Sequence, residues 1–382
     1  MKDALPDQKK DKDSIKAISF DTYSTMKYSA MQNALLYQNV NSKENSLVVG
    51  EERAHSIDSL FTATERYLGQ MRELDRRCLS QTVYAESIYN ELASVNDSML
   101  ESCARFEKEV NDKFIIKRAQ ADFRERTNPL LSKSYCINRC RTWPQGHQGD
   151  YQTLEIAYRN SPMSRGIGYY LDKYFLSSSL TVAVRQRIER LRDMLREELM
   201  SRHKPKVLDI ACGSCREIYE LAPEIKTSGA RFTCTDSDAD ALKFAHNRLS
   251  YTGLSPDRIE FIKYNALRMF DFDTARAEFG KQDIIYSVGF FDYLPDDFLE
   301  KLLNTLYQLL NPGGKLILAF KDSNHYRPQE FQWLVEWDGF FQRIHSDFDR
   351  LLQGAEIPRS ALSQTRNETE AIIFYTATKQ AS

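Results

Sequence analysis

The sequence predicts an α/β protein: a doubly wound parallel sheet preceded by an α-helical N-terminal region. Three observations predict it. From Lys206 onward, short apolar runs of strand length alternate with helix-like stretches. The first run, 207–210, passes through a turn of small residues, Ala211 to Cys215, straight into a helix-forming series from Arg216. A strand, tight turn and helix in that order open the βαβ unit with which such sheets grip nucleotide-like ligands. Between Leu60 and Phe114, by contrast, apolar residues recur at alternating steps of three and four, the period of amphipathic helices.

Taken in order, residues 1–50 are polar, rich in Lys, Asp, Ser and Asn, and lack periodicity, so a mobile segment is expected. In 51–130, Leu60, Thr64, Tyr67, Met71, Leu74 and Cys78 form one apolar stripe. After a break near Ser80-Gln81, Ile88, Leu92, Val95, Met99, Cys103, Phe106, Val110 and Phe114 form a second. The spacing predicts an antiparallel helical hairpin whose second helix runs for about 35 residues until Asn128-Pro129 stops it. Such a hairpin suits a cap on the following domain, a substrate lid, or an arm through which two copies form a homodimer. Residues 131–203 read as connector and lid helices: a glycine-rich loop, Trp143-Pro-Gln-Gly-His-Gln-Gly-Asp-Tyr151, then helices over 153–158 and 168–199, the latter interrupted near Ser177.

The ligand-binding domain is assigned to 204–382. Its strands are expected at 207–210, 231–235, 259–263, 283–288 and 315–320, the last introduced by the turn Asn311-Pro-Gly-Gly314. Two more are expected in the tail, the clearer at 371–376. Helices are expected at 216–221, 239–250 and 298–310, and no internal repeat is visible.

Composition bounds the function. The chain has 382 residues, 42% apolar and 28% charged, with a net charge of −2. That balance predicts no polyanion or acidic-surface partner, hence no nucleic acid. Seven cysteines, an odd number, do not suggest a disulfide framework. Cys212 and Cys215 form a C-x-x-C but already serve as small residues of the turn, and no metal is expected. No apolar run reaches the roughly 18 residues of a membrane span. The first residues lack a signal-peptide core, so a cytoplasmic location is expected.

In a doubly wound sheet, ligands bind beyond the carboxyl ends of the strands, where strand order reverses. The first such end reads Asp209-x-Ala211-x-Gly213-x-Cys215. It resembles motif I (acid-x-G-x-G-x-G) of the class I methyltransferases, with their Rossmann-like sheet, although only the middle glycine is kept. The resemblance implies S-adenosylmethionine as cofactor. Asp209, Ala211, Cys212 and Gly213 would then line the methionyl part. Asp236, with Ser237 beside it, would hold the ribose hydroxyls through charge-assisted hydrogen bonds. Asp238 and Asp240 are nearby alternatives. Asn265 and Ala266 would meet the adenine, and Ser287 and Val288 the methionyl and methyl groups.

From Trp143 on, the chain also resembles one branch of that family, the bacterial synthases of 3-hydroxy fatty acid methyl esters, which serve as quorum signals. Three stretches carry the likeness: Gln145-Gly-His-Gln-Gly-Asp-Tyr151 for R-G-Y-x-G-D-Y, Leu208-Asp-Ile-Ala-Cys-Gly-Ser-Cys-Arg-Glu217 for L-x-x-A-C-G-x-x-R-E, and Gly289-Phe-Phe-Asp-Tyr-Leu294 for G-L-F-D-Y-L. Gln145, His147 and Phe290 depart from the pattern. The resemblance implies methyl transfer to the carboxylate of a hydroxy fatty acid or similar small acid, with Tyr151, His147, Asp292 and Tyr293 as candidate catalytic residues. Two other readings stay open. One is N- or O-methylation of another metabolite, with His147 or Asp292 as base. The other is a non-catalytic cofactor-binding protein whose helical arm recruits partners.

Overall fold

Helix α1 (Val48–Leu79) and helix α2 (Glu86–Val110) bury the two predicted stripes against each other. Hydrogen bonds from Ser56 to Glu109 (2.8 Å), Tyr67 to Asn96 (2.9 Å) and Arg77 to Glu91 (2.7 Å) fix the pair as antiparallel, as expected for a hairpin. The computed structural model describes residues 48–79 and 84–380; the expected mobile segment up to residue 47 and the expected break at Ser80-Gln81 lie outside them.

The second helix is not one long rod. It ends at Val110, where Asn111 turns left-handed (φ 45°), and Asp112 caps a new helix, α3 (Lys113–Leu131), by accepting from the Phe114 and Ile115 amides (2.9 and 3.2 Å). Periodicity cannot see such a junction, because two cap residues shift the phase by less than a turn. Phe114 falls off the stripe and is 56% exposed. Pro129 also sits inside the last turn of α3 instead of stopping it, and the helix closes with the Ser132 amide on the Asn128 carbonyl (3.0 Å).

Four helices lead to the sheet: α4 (Tyr135–Thr142), α5 (Tyr151–Arg159), α6 (Ile167–Ser177) and α7 (Ser179–Ser201). Buried Asp172 of α6 organises this stretch. It accepts from the Ser134 hydroxyl (2.5 Å) and from the amides of Cys136, Met163 and Ser164 (3.1, 2.9 and 2.9 Å). Four donors thus satisfy its two carboxylate oxygens and tie the segments 134–136 and 163–164 to α6.

The sheet contains β1 (Lys206–Ile210), β2 (Arg231–Asp236), β3 (Ile259–Lys263), β4 (Gln282–Val288), β5 (Leu310–Lys321), β6 (Leu362–Arg366) and β7 (Ile372–Thr378). Their spatial order is β3-β2-β1-β4-β5-β7-β6, with β7 antiparallel to its neighbours. Order therefore reverses between β1 and β4, which places the ligand crevice at the carboxyl ends of β1, β2 and β4. Helices α8 (Arg216–Glu220), α9 (Ala222–Ser228), α10 (Ala239–Leu249), α11 (Phe272–Phe279), α12 (Asp296–Gln308) and α13 (His345–Gly354) complete the layers. The turn expected at Asn311 to Gly314 is absorbed into β5 as an irregularity, where pairing jumps from Gln282–Leu310 to Ile284–Lys315.

One face of the sheet (Leu208, Ile210, Ile285, Leu316, Leu318) packs on α12 and α13. The other (Val207, Phe232, Ile284, Tyr286, Ile317) shares a continuous core with α1 to α7. A segment with no sequence signal of its own, 322–344, joins the two parts. Trp333 Nε1 donates to Glu107 (2.6 Å), Arg124 to the Gln332 carbonyl (2.6 Å), and Trp143 Nε1 to the Glu336 carbonyl (2.8 Å). The stripes of α1 to α3 are thus covered from within the chain. Among the described residues no helix is long and apolar enough to cross a membrane.

Candidate active site

The loop after β1 keeps the geometry of its motif although two of its glycines are gone. Ala211, Gly213 and Cys215 all adopt left-handed backbone, with φ of 58°, 53° and 47°. For Ala and Cys this costs on the order of 1–2 kcal/mol each. The loop is pinned by the Cys212 amide on the Thr235 carbonyl (3.0 Å) and the Gly213 amide on Asp236 Oδ2 (2.8 Å). Asp236 Oδ1 accepts from the Asp238 amide (2.9 Å). Burial pushes the Asp236 carboxyl up, and these two amides oppose the shift. The carboxylate stands at the end of β2, where the sequence reading places it, with Ser237 half-buried beside it.

Other predicted cofactor residues are tied up in the fold. Asp209 is 2% exposed, among Glu217, Tyr286 and the thiols of Cys212, Cys215 and Cys234. Burial, then the neighbouring Glu217, raises its carboxyl well above the usual range, and its Oδ2 has no hydrogen-bond partner. Asp209, Cys212 and Cys215 bring potential ligand atoms within 4.8 Å of one another, sealed from solvent. Burial also raises the Cys215 and Cys234 thiols, and Cys212 is raised chiefly by the Cys215 thiol beside it. Asn265 uses its side chain to cap the turn Ala266–Phe270, accepting from the Leu267 amide (3.0 Å), and Ala266 is buried. Ser287 donates across the sheet to the Ile210 carbonyl (2.7 Å), locking β4 to β1, and Val288 is half-buried after it.

The glycine-rich loop before α5 spans the crevice. His147 Nε2 lies 3.8 Å from Asp238 Oδ2, and this partner raises the imidazole above its ordinary value against the effect of burial. Gly149, at φ 69°, lies against the other end of the crevice: a Cβ there would stand 2.8 Å from Tyr293 Oη and 2.9 Å from the Trp337 ring. Only glycine fits that approach. Trp337 Nε1 donates to Tyr293 Oη (2.6 Å). Asp150 caps α5 and is held by Arg139 Nη2 (2.6 Å). A Cβ on Gly213 would stand 3.8 Å from the Tyr151 Cβ, and the Tyr151 ring lies tilted at 44° against Phe244 with centroids 5.1 Å apart. One loop thus joins the β2 end, the motif I turn and the residues after β4.

Asp292 is placed differently from its expected role. It is 1% exposed and bound to buried Lys321, both Nζ (2.5 Å) and amide (3.1 Å). The sequence reading missed Lys321, and also Glu155 and Arg187. Glu155 of α5 accepts from Ser214 (2.8 Å), Arg216 (3.1 Å) and Arg248 (2.6 Å), which fastens the covering helix to the motif I turn and to α10. Arg187 stands on the buried stripe of α7 between Val184 and Leu191, and a charge on an apolar stripe is a signal that sequence alone provides.

Residues 207–314, which hold every one of these strand ends up to β4, match the family model described as a methyltransferase domain. These residues form a class I methyltransferase domain. Its cofactor is S-adenosylmethionine, and the residues fit it: an acid at the β2 end, a left-handed turn after β1 and a glycine-lined end of β4. The methyltransferase chain is similar to a possible exported protein from Bordetella parapertussis, with 17% identity and a TM-score of 0.50, covering 84% of this chain and 97% of that one. It is also similar to magnesium protoporphyrin IX methyltransferase from Synechocystis PCC 6803 with bound SAH (14% identity, TM-score 0.40, 53% of this chain and 86% of that one). A third similarity is to the N-methyltransferase NodS from Bradyrhizobium japonicum WM9 (15% identity, TM-score 0.34, 51% and 97%). No curated protein sequence matches the chain.

Proposed function

We propose that this methyltransferase esterifies the carboxylate of a small acid, most simply a 3-hydroxy fatty acid. The observation that carries the reading is the Asp292–Lys321 ion pair: the acid nearest the β4 end is neutralised and buried, so it is poorly suited to remove a proton. A carboxylate acceptor, with a pKa near 4–5, needs no base at neutral pH. When bound, the cofactor supplies an electrophilic sulfonium methyl. The work left to the chain is to exclude water and orient the acceptor. Gly149, Tyr151, Tyr293 and Trp337 form a tight aromatic cover suited to that task. In this reading the helices of 51–130 and 131–203 serve as the cap that keeps the site dry. The likeness of 145–151, 208–217 and 289–294 to the hydroxy fatty acid methyl ester synthases supports the acceptor class.

His147 favours one rival, in which an amine or hydroxyl acceptor loses its proton to the imidazole. The pH dependence of kcat/KM separates the two. Asp238 stabilises the imidazolium, so the pair exists below the raised His147 pKa and is lost as pH rises through it. With a carboxylate acceptor, kcat/KM should stay level from about pH 6.5 and decline only once His147 deprotonates and its hold on Asp238 is lost. His147→Gln should remove that decline. A proton-removing histidine predicts the opposite: an ascending limb, displaced above the ordinary imidazole range, that vanishes in His147→Gln. That ascending limb would refute carboxyl methylation.

A further inference from the structure

Arg187 is a buried charged residue on the helix that covers the end of β4. It projects from the apolar face of α7, where Leu180, Val184, Ile188 and Leu191 are all buried, and is itself 2% exposed. Its guanidinium lies flat against the backbone just beyond β4. A Cβ at Gly289 would stand 3.0 and 3.1 Å from its two Nη atoms and 3.3 Å from Cζ, and Gly289 has φ 103°. Its Nε is enclosed with no acceptor. The Tyr158 hydroxyl is its hydrogen-bonding neighbour: burial pushes that hydroxyl up, the guanidinium opposes the shift, and Glu217 adds to it.

No ion pair to Arg187 occurs among the described residues. Of the buried carboxylates on adjoining elements, Asp292 is held by Lys321 (2.5 Å) and Glu217 accepts from the Tyr286 hydroxyl (2.9 Å). Lys321 and Asp292 pair with each other, and no carboxylate of the described residues forms an ion pair with the buried Arg187. Burying a charge without a partner is costly, and proteins keep such groups where a ligand completes them. A planar guanidinium offers parallel donors that match the two oxygens of a carboxylate.

We propose that Arg187 is a carboxylate receptor at the methyl-transfer centre, completed by an anionic group of the bound ligands. The carboxylate comes from the methionyl end of the cofactor or from the acceptor; the second source rests on the proposed function, and the first does not. Gly289 serves the receptor by leaving its Cβ position free for the guanidinium.

Calorimetry on the full chain tests this with Arg187→Gln, Arg187→Lys and Gly289→Ala. The probes are S-adenosylhomocysteine, methylthioadenosine (which lacks the amino-acid end), and 3-hydroxydecanoate added to the S-adenosylhomocysteine-loaded protein. A cofactor source predicts that Arg187→Gln weakens S-adenosylhomocysteine at least tenfold while methylthioadenosine binding holds, with partial recovery in Arg187→Lys. An acceptor source predicts unchanged S-adenosylhomocysteine and at least tenfold weaker 3-hydroxydecanoate. Gly289→Ala should follow Arg187→Gln in either case. Thermal melting supplies a readout that is independent of ligands: removing an unpaired buried charge should leave the melting temperature unchanged or raise it. Unchanged affinity for both S-adenosylhomocysteine and 3-hydroxydecanoate in Arg187→Gln overturns the proposal, as does a large fall in melting temperature without a binding defect. If the unaltered protein binds S-adenosylhomocysteine but not 3-hydroxydecanoate, the acceptor assignment fails by itself, and the S-adenosylhomocysteine comparison alone decides the role of Arg187.

Discussion

Asp236→Ala is expected to weaken S-adenosylmethionine binding at least tenfold while the protein remains folded. The carboxylate ends β2 at the crevice and in the free protein already accepts the Gly213 and Asp238 amides at 2.8 and 2.9 Å. A ribose diol supplies two further donors, and each charge-assisted bond is worth about 1.5–3 kcal/mol. Losing one such bond is therefore enough for the tenfold effect. The same side chain orders the motif I turn, so its removal also frees the Gly213 amide and loosens the loop. Affinity should moreover fall on acidification at a higher pH than for an ordinary aspartate, because burial raises this carboxyl and protonation removes an acceptor. Equal calorimetric affinities for Asp236→Ala and the unaltered protein would remove β2 from the cofactor site.

Lys321→Met should have the largest effect on stability, a loss of about 3–5 kcal/mol, because it strands Asp292 as a buried charge. Both side chains are almost fully enclosed, and the lysine alone supplies two donors to the carboxylate. Burial pulls the Lys321 ammonium down and Asp292 holds it up. Replacing both partners, as Asp292→Asn with Lys321→Met, should recover most of the loss, since the pair's main cost is desolvation. Denaturant melts of the two variants and the unaltered protein measure this directly. A freely available catalytic Asp292 would instead give a Lys321→Met protein of nearly unchanged stability.

The sheet was legible because each of its parallel strands is a short apolar run closed by a small or polar residue, and the glycine, acid and aromatic landmarks fall at those ends. Asp236 falls at such a strand end, and there its carboxylate accepts the Gly213 and Asp238 amides. The helix junction at Asn111-Asp112 escaped because hydrophobic spacing is nearly continuous across two cap residues, although the residue types themselves are turn formers. The role of 322–344 escaped for a different reason. Trp333, Trp337 and Arg343 show no period and acquire meaning only through partners far away in sequence, Glu107, Tyr293 and Asp296. The commitment of Asp292 to Lys321 is likewise a contact between two strand ends that no local pattern encodes. Arg187 went unnoticed although a charge in an apolar stripe is a sequence signal, because its significance depends on what fails to pair with it.

Incubating the purified protein with 3-hydroxydecanoic acid and cofactor carrying a trideuterated methyl group, followed by mass spectrometry of the products before and after mild alkali, shows which atom receives the methyl. Carboxyl methylation predicts a product that carries the labelled methyl and reverts to the free acid in alkali, because esters hydrolyse there. A labelled product that survives alkali would place the methyl on a hydroxyl, and an unlabelled acid beside intact cofactor would remove this acceptor class; either result contradicts the account.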